Sequence, residues 1–253
     1  MRGLGTIVNV ITILAGGTAG LILKKFLSKR ITETVMQGVG LAVILIGLGG
    51  ALSASFTVAG GKISSDHIVL MIVSLAIGAV IGEAFKIEGK IDAVGKYCES
   101  KFVRPGETST FAQGFVTATL VFCVGSMAIV GSLEDGISAN SDILFAKSTL
   151  DGITSMIFAS TMGFGVLFSA IIVGIYQGAI TLLAVFVSSY LNDIVVTQMS
   201  LIGSVLIMAI GFNMLHITKI KVGNLLPAMF IPILNDMLLQ LLTFIIRCAV
   251  GVV

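Results

Sequence analysis

Apolar stretches, each close to the length of a membrane-spanning helix, recur along the whole chain of 253 residues and are separated by short polar connections. A helix needs about 20 apolar residues to cross the hydrocarbon core of a bilayer. Charged residues make up 11% of the chain, whereas soluble domains carry about 25%. The sequence therefore predicts an all-α integral membrane protein, with the lipid bilayer as the solvent of a single polytopic domain over residues 1–253.

Eight spans fit the apolar stretches and the distribution of basic residues. The predicted spans cover residues 4–23, 35–56, 67–85, 108–131, 146–162, 166–190, 195–214 and 225–250. The stretch 149–190 is too long for one crossing, and Gly163-Phe164-Gly165 is its natural break, either between two spans or within a re-entrant hairpin. This arrangement places most of the fifteen Lys and Arg residues on the cytoplasmic side, and it predicts that both termini lie outside.

The spans fall into two halves. Residues 1–85 supply three spans and residues 107–253 supply five, and the connecting segment 86–106 has the spacing of an amphipathic helix on the cytoplasmic surface. Residues 13–22 resemble residues 122–131, and residues 34–43 resemble residues 149–158. Because these paired spans run in opposite directions, the pattern is what an inverted repeat would give, which many transporters have. Residues 76–89 also resemble residues 209–223, but those spans run the same way, which conflicts with a simple inverted duplication.

Carboxylates and a lysine interrupt the apolar pattern between residues 125 and 177. Glu134 and Asp135 are expected either in a hydrated outer loop, together with Asp142, or as part of a substrate or ion pathway. Lys147 lies four residues before Asp151, so the two can pair on one helix face. Asp151 is either a favourable charge at a helix N-terminus or, if buried, a gate or ion-coupling carboxylate, because a charge at membrane depth is costly.

Neutral polar residues continue this segment. Ser155 is expected either to bond back to helix carbonyls or to line a path through the bundle. Tyr176 and Gln177 lie within a span, where the Gln177 amide must find a partner on another helix or on a solute. Asn9 and Asn213 raise the same question. The span boundaries place Asp151 near the outer surface, as an outer gate, and Gln177 towards the middle of the membrane.

A second candidate site lies in the last span. Pro232 removes a backbone hydrogen bond and predicts a kink or break. Asn235 and Asp236 follow at once, and Gln240 lies one turn further. A broken helix with adjacent amides and a carboxylate is typical of a substrate or ion site in transporters; the alternative is a simple proline kink that ends in polar residues.

The sequence shows none of the patterns that indicate an enzyme. The three cysteines and two histidines have no metal-ligand or disulfide spacing, and there is no nucleotide-binding loop or nucleophile motif. No basic run predicts nucleic-acid binding. We therefore expect neither catalytic residues nor a metal or organic cofactor.

Several long motifs resemble the DUF554 family, the YqgA/YdfK-like bacterial inner-membrane proteins. They are VGSMAIVGSLEDG, KSTLDGITSMIFASTMGFGVLFSA, YQGAITLLA, KVGNLLPA and, near the N-terminus, GTIVNVITILAGGTAG. The resemblance covers nearly the whole chain and implies a multi-spanning inner-membrane protein of unassigned function. The positions in these motifs that carry it are Glu134, Asp135, Gly136, Lys147, Asp151, Gly152, Tyr176, Gln177, Gly178, Asn224 and Pro227.

The polar groups at depth, the broken last span and the repeat together favour a secondary transporter of a small solute, coupled to H⁺ or Na⁺, in which one half moves against the other. Mixed charge near the candidate site slightly favours an organic acid or amino acid as the solute. The alternatives are an oligomeric channel and a non-transporting scaffold or sensor that acts through the cytoplasmic helix. The glycine-rich helix faces also fit a homo-oligomer.

Overall fold

The protein is a bundle of helices with one short β-hairpin. The computed structural model describes residues 1–59, 62–65, 67–91, 93, 110–124, 126–187 and 191–250. The helices are α1 (Leu4–Lys24), α2 (Lys29–Ser55), α3 (Ile68–Phe85), α4 (Phe111–Cys123), α5 (Ser126–Ser138), α6 (Asp142–Met162), α7 (Gly165–Leu182), α8 (Ala184–Val187), α9 (Asp193–Met214), α10 (Val222–Leu225) and α11 (Ile231–Val250). The hairpin pairs β1 (Phe56–Ala59) with β2 (Lys62–Ser65) in antiparallel register.

The predicted all-α membrane architecture is confirmed. Six helical segments in the described part are long and apolar enough to cross a membrane: α1, α2, α3, α7, α9 and the segment that begins with α10. A bent pair, α4 and α5, would provide a seventh crossing. The remaining predicted span is α6, which has 21 residues. It is not one of the six apolar segments, because its sequence is more polar than theirs.

The predicted single span over 108–131 is wrong in detail. Two helices, α4 and α5, replace it and meet at an angle of 58°. Val124 ends α4 in an extended conformation, with ψ 139°. Its side chain packs against Gly203 of α9, where an added Cβ would lie 2.5 Å from Val124 Cγ1. This contact with α9 favours a break that the apolar pattern alone cannot reveal.

Glycines hold α1 and α6 together as a parallel pair. Gly5 faces Leu144 near the start of both helices, and Gly20 faces Met156 near the end of α1. A Cβ added at Gly16 would overlap the carbonyl oxygen of Gly152. Close backbone approach at small residues is the usual way in which membrane helices gain van der Waals contact. The contact fixes the register in which polar side chains of α1 meet those of α6.

Among the six candidate spans, α9 is the most buried, and 67% of its most apolar stretch lies inside the protein. It packs in the antiparallel direction on α2, where Gly47 faces Met208 and Gly40 faces Leu215. The apolar core includes Ile13 from α1, together with Phe122 and Phe158. The central position of α9 leaves α1, α6 and α7 to enclose a polar region beside it.

The predicted hinge between the fifth and sixth spans is confirmed. Helix α6 ends at Met162, Gly163 has φ 80° and ψ −150°, and α7 begins at Gly165. That conformation is accessible to glycine and strained for other residues. The two helices contain 21 and 18 residues, or about 31 and 27 Å at 1.5 Å per residue, which are lengths of full crossings.

The predicted kink or break at Pro232 is found one turn before the proline. The last span is interrupted earlier, where a 3₁₀ helix (Leu226–Phe230) separates α10 from α11. Helix α11 begins at Ile231, so Pro232 lies in the first turn, where a backbone N–H would have no partner within the helix. The discontinuity is therefore real, but Pro232 starts a helix and does not bend one.

Two further predictions concern the connecting segment and the repeat. The amphipathic helix is predicted over residues 86–106, of which residues 86–91 and 93 are described, and residues 87–91 are helical. The rest of the predicted helix lies outside the described residues. Residues 13–22 belong to the continuous α1, whereas residues 122–131 include the junction of α4 and α5. The inverted repeat stays a prediction.

We call the end of the bundle where α1 begins its N-terminal end. Arg2 donates a hydrogen bond to the carbonyl of Ile137 there, over 3.4 Å. Lys24, at the close of α1, lies near Gly163 at the opposite end. The opposite end also contains the ion pair between Lys221 and Glu83.

Candidate functional site

Four buried polar side chains from three helices form one hydrogen-bonded group, which we call the Asp151 cluster. Lys147 Nζ lies 2.6 Å from Asp151 Oδ2, one turn away on α6. Asn9 of α1 donates from Nδ2 to Asp151 Oδ2 over 3.0 Å and to Gln177 Oε1 of α7 over 3.2 Å. The exposed fractions of the four residues are between 0% and 5%. The predicted pairing of Lys147 with Asp151 is therefore confirmed.

The local sequence explains why these side chains meet. Lys147 and Asp151 are spaced i,i+4 and so share one face of α6. The glycines of α1 bring its backbone against that face, and Asn9 lies between Gly5 and Gly16. Ser155 continues the contact, because its hydroxyl donates to the Ile13 carbonyl of α1 over 2.7 Å. This hydrogen bond thus connects α6 to α1, one turn beyond Asp151.

The carboxylate of Asp151 determines how the two amides are oriented. An ionised carboxylate only accepts hydrogen bonds, so Asn9 must turn its NH₂ group towards Asp151. The same NH₂ group then meets Gln177, which must present its carbonyl oxygen. As a result, Asn9 Oδ1 and Gln177 Nε2 are buried and have no hydrogen-bond partner within the described part of the chain.

Unpartnered buried polar groups are costly, at about 1–3 kcal/mol each. Five hydroxyls share this condition among the described residues, those of Thr6, Ser74, Thr119, Tyr176 and Ser200. Thr6 precedes Asn9 by one turn on α1, and Tyr176 adjoins Gln177 on α7. The Asp151 cluster therefore presents one unpartnered acceptor, Asn9 Oδ1, and one unpartnered donor, Gln177 Nε2, that water or a solute could satisfy.

The cluster lies below the surface of the N-terminal end. Asn9 is five residues from Leu4, where α1 begins, and Gln177 is five residues from Leu182, where α7 ends. At 1.5 Å per residue, both are about 7.5 Å from their helix ends. The expected separation of Asp151, near the surface, from Gln177, deeper in the membrane, is wrong because both bind the same nitrogen of Asn9.

The expected hydrated loop at Glu134 and Asp135 is also wrong. Helix α5 continues to Ser138, and Asp135 is fully buried. Its carboxylate accepts hydrogen bonds from Gly5 N over 3.3 Å and from Ser141 Oγ over 3.0 Å. A carboxylate at a helix N-terminus is favourable, so Asp135 fastens α5 to the start of α1. Glu134 is half-buried and accepts from Asn140 over 3.4 Å.

Asn224 lies at the opposite end, away from the Asp151 cluster. Its Nδ2 donates to Glu83 Oε2 over 2.5 Å, and its Oδ1 accepts from the backbone N–H of Glu88 over 2.8 Å. Lys221 also pairs with Glu83, over 3.2 Å. Asn224 therefore joins α10 to the end of α3. Pro227 lies in the adjoining 3₁₀ helix.

The second candidate site remains separate. Asp236 accepts from Gln240 over 2.7 Å and from Asn192 over 3.5 Å. Asn235 is half-buried beside it on α11. Asn213 closes the loop after α9, because its side chain bonds Thr218 and the backbone of Ile220. The hydrogen bonds of these residues do not include the Asp151 cluster, so the cluster is the stronger candidate.

These features define a multi-spanning helical membrane protein with a buried polar cluster. In the part of the chain that the structure describes, no three His, Cys, Asp or Glu side chains are grouped to hold a metal ion. The chain belongs to the DUF554 family, described as proteins of unknown function, whose family model matches residues 4–237. The predicted resemblance is thus confirmed.

Two relatives cover nearly the whole chain. The uncharacterized membrane protein YdfK of Bacillus subtilis (strain 168) is 34% identical over 228 residues, which are 90% of this chain and 93% of that protein. The uncharacterized protein YqgA of Escherichia coli (strain K12) is 27% identical over 232 residues, 90% of this chain and 94% of that protein. No solved structure matches the chain.

Proposed function

We propose that this protein is an ion-coupled secondary transporter and that the Asp151 cluster binds its solute and its coupling ion. The observation that carries the proposal is an ion pair buried inside a membrane bundle beside two amides, each of which has one atom without a partner among the described residues. Ionisable groups at membrane depth cost at least about 2.5–3.5 kcal/mol and are usually functional. We propose a small organic acid or amino acid as the solute, and H⁺ or Na⁺ as the ion.

The hydrogen bonds suggest how ion and solute could be coupled. A proton or Na⁺ on Asp151 would weaken its charge-assisted hydrogen bond to Asn9, because such bonds depend on the ionised carboxylate. Asn9 also binds Gln177, so the change would reach α7. Occupancy of Asp151 by an ion would then alter the amide groups offered to a solute, which links the two binding events.

Discontinuous helices support movement around this cluster. The α4–α5 pair is bent by 58°, Gly163 separates α6 from α7, and a 3₁₀ helix precedes α11. Broken helices are common in transporters that expose a central site alternately to the two sides. Because glycines lock α1 against α6, we propose that these two helices move as one unit, although they belong to different halves of the sequence.

Location and assembly are part of the same proposal. We place the protein in the bacterial inner membrane with both termini outside, on the distribution of Lys and Arg. A homo-oligomer fits its glycine-rich faces. We propose transport and not catalysis, because no nucleophile or metal-site motif occurs in the sequence.

The test is solute uptake into liposomes that contain the purified protein. A broad panel of small organic acids and amino acids is supplied under an inward H⁺ or Na⁺ gradient. Asp151→Asn keeps the size of the side chain and removes its charge, and Asp236→Asn makes the same change outside the cluster. We expect saturable, gradient-dependent uptake that Asp151→Asn abolishes and Asp236→Asn preserves.

Other outcomes would overturn the proposal. Uptake of no solute under either gradient would contradict transport, and single-channel currents in planar bilayers would indicate a channel. If a cellular phenotype were lost on deletion of residues 86–102 but unaffected by Asp151→Asn, the protein would be a scaffold or sensor.

A further inference from the structure

A cavity of about 350 Å³ opens at the N-terminal end of the bundle. It lies between the start of α1, the end of α5 and the end of α7, and Arg2, Thr6, Gly178 and Thr181 are among its lining residues. Cavities that bind small molecules have volumes of about 300–1,000 Å³. The cavity is therefore large enough for a solute of a few heavy atoms together with water.

The cavity adjoins the Asp151 cluster. Thr6 is three residues before Asn9 on α1, and Thr181 is four residues after Gln177 on α7, so each threonine shares a helix face with one member of the cluster. One turn of helix, about 5.4 Å, separates the cavity wall from the cluster. Asn9 and Gln177, each of which has one unpartnered side-chain atom, thus lie about one helical turn from the cavity wall.

The chemistry of the wall favours an anion. Among the described residues that line the cavity, Arg2 alone is charged. Arg2 uses one N–H for the Ile137 carbonyl, and a guanidinium has five. Thr6 is 6% exposed, and its hydroxyl has no hydrogen-bond partner in the described part of the chain. Asp135 is nearby but does not line the cavity, since its carboxylate faces Gly5 N and Ser141.

We propose that this cavity is the entrance of the solute pathway and that Arg2 selects small solutes with a carboxylate. The carboxylate pairs with Arg2 and the Thr6 hydroxyl, and a hydrogen-bonding group at the other end of the solute reaches Asn9 and Gln177. The inference rests on the proposed transport function. It adds the side of the bundle at which the solute enters and the residue that selects its charge.

Gly178 is the position at which the entrance can be probed without disturbing the packing. A Cβ added to Gly178 would meet no atom within 4 Å, whereas one added to Gly136, on the facing helix, would overlap the Thr181 carbonyl oxygen. A cysteine at position 178 therefore projects into the cavity, and a larger side chain there fills it.

The test measures how fast charged thiol reagents modify Gly178→Cys. Cys98 and Cys248 are replaced by serine, and the buried Cys123 is kept. The reagents are the anionic 2-sulfonatoethyl and the cationic 2-(trimethylammonio)ethyl methanethiosulfonates, with rates normalised to those of N-acetylcysteine. Because a charged wall concentrates ions of opposite sign, we expect the anionic reagent to react about tenfold faster than the cationic one.

Arg2 variants provide the matched controls. Arg2→Gln should abolish the preference for the anionic reagent, and Arg2→Lys should retain it. Labelling with no preference, a preference for the cationic reagent, or a preference that survives Arg2→Gln would overturn the inference. So would a Gly178→Cys thiol that reacts with neither reagent.

A plugged variant separates this inference from the proposed function. Gly178→Leu should block uptake, and Gly49→Leu should not, since Gly49 on α2 also has open space beside it. Uptake that persists in Gly178→Leu would overturn the entrance but leave transport intact. Anion-selective labelling in a protein that moves no solute would support the selection of anions by Arg2 but contradict transport, and with it the role of the cavity as an entrance.

Discussion

Replacing Lys147 with Met should destabilise the protein strongly. Lys147 and Asp151 are paired at 2.6 Å, and their side chains are only 7% and 8% exposed. Methionine keeps most of the length of lysine but carries no charge. The carboxylate of Asp151 would then retain Asn9 as its one hydrogen-bond partner among the described residues. Removing one member of a buried ion pair typically costs about 3–5 kcal/mol, because the other charge stays buried without compensation.

The chain offers a matched control at its opposite end. Lys221 and Glu83 form an ion pair over 3.2 Å, with side chains 64% and 62% exposed. Exposed pairs contribute about 0–1 kcal/mol, so Lys221→Met should have little effect. The free energies of unfolding of the two variants should differ by at least about 2 kcal/mol, which corresponds to a roughly thirtyfold difference in the unfolding equilibrium constant.

Reversible unfolding in mixed micelles with increasing dodecyl sulfate provides the measurement. Helicity by circular dichroism is a suitable signal, since the chain contains no tryptophan. The double variant Lys147→Met/Asp151→Asn should be more stable than Lys147→Met alone, because it leaves no unpaired charge. If Lys147→Met were no less stable than Lys221→Met, or if the second substitution gave no recovery, the pair would not be buried as described.

Two further predictions concern the contact between α1 and α6. Gly16→Ala should destabilise the protein by about 1–3 kcal/mol through overpacking, measured by the same unfolding assay. Gly49→Ala, which meets no neighbour, should stabilise the protein by up to about 1 kcal/mol, because alanine favours the helix more than glycine does; equal effects would contradict the close helix contact. Ser155→Ala should lower the free energy of unfolding by about 1 kcal/mol, because it removes the hydrogen bond to Ile13. An unchanged midpoint of the unfolding curve would show that this bond contributes nothing.

Features that depend on local sequence could be predicted. Apolar runs of bilayer length give six of the eight predicted spans within the described residues. The Gly163-Phe164-Gly165 sequence gives the hinge after Met162, and i,i+4 spacing gives the Lys147–Asp151 pair. Each of these follows from the geometry of a single helix, or of a helix end, and needs no knowledge of its neighbours.

The assembled cluster could not be predicted in the same way. Asn9 meets Asp151 and Gln177 across separations of 142 and 168 residues, and the register is set by glycine contacts between helices. Asn9 could be recognised only as an amide in need of a partner. The burial of Asp135 was missed because α5 runs further than its charges suggest, and its partner Gly5 lies 130 residues away.

The central claim, that the Asp151 cluster carries the solute, is tested most directly by solute counterflow in liposomes that contain the purified protein. Gln177→Leu removes the amide that precedes Gly178, a residue of the cavity wall, and Gln240→Leu makes the same substitution beside Asp236, in the competing candidate site. We predict that counterflow is lost in Gln177→Leu and retained in Gln240→Leu. Counterflow that survives Gln177→Leu and fails in Gln240→Leu would place the solute at the last span and contradict the account.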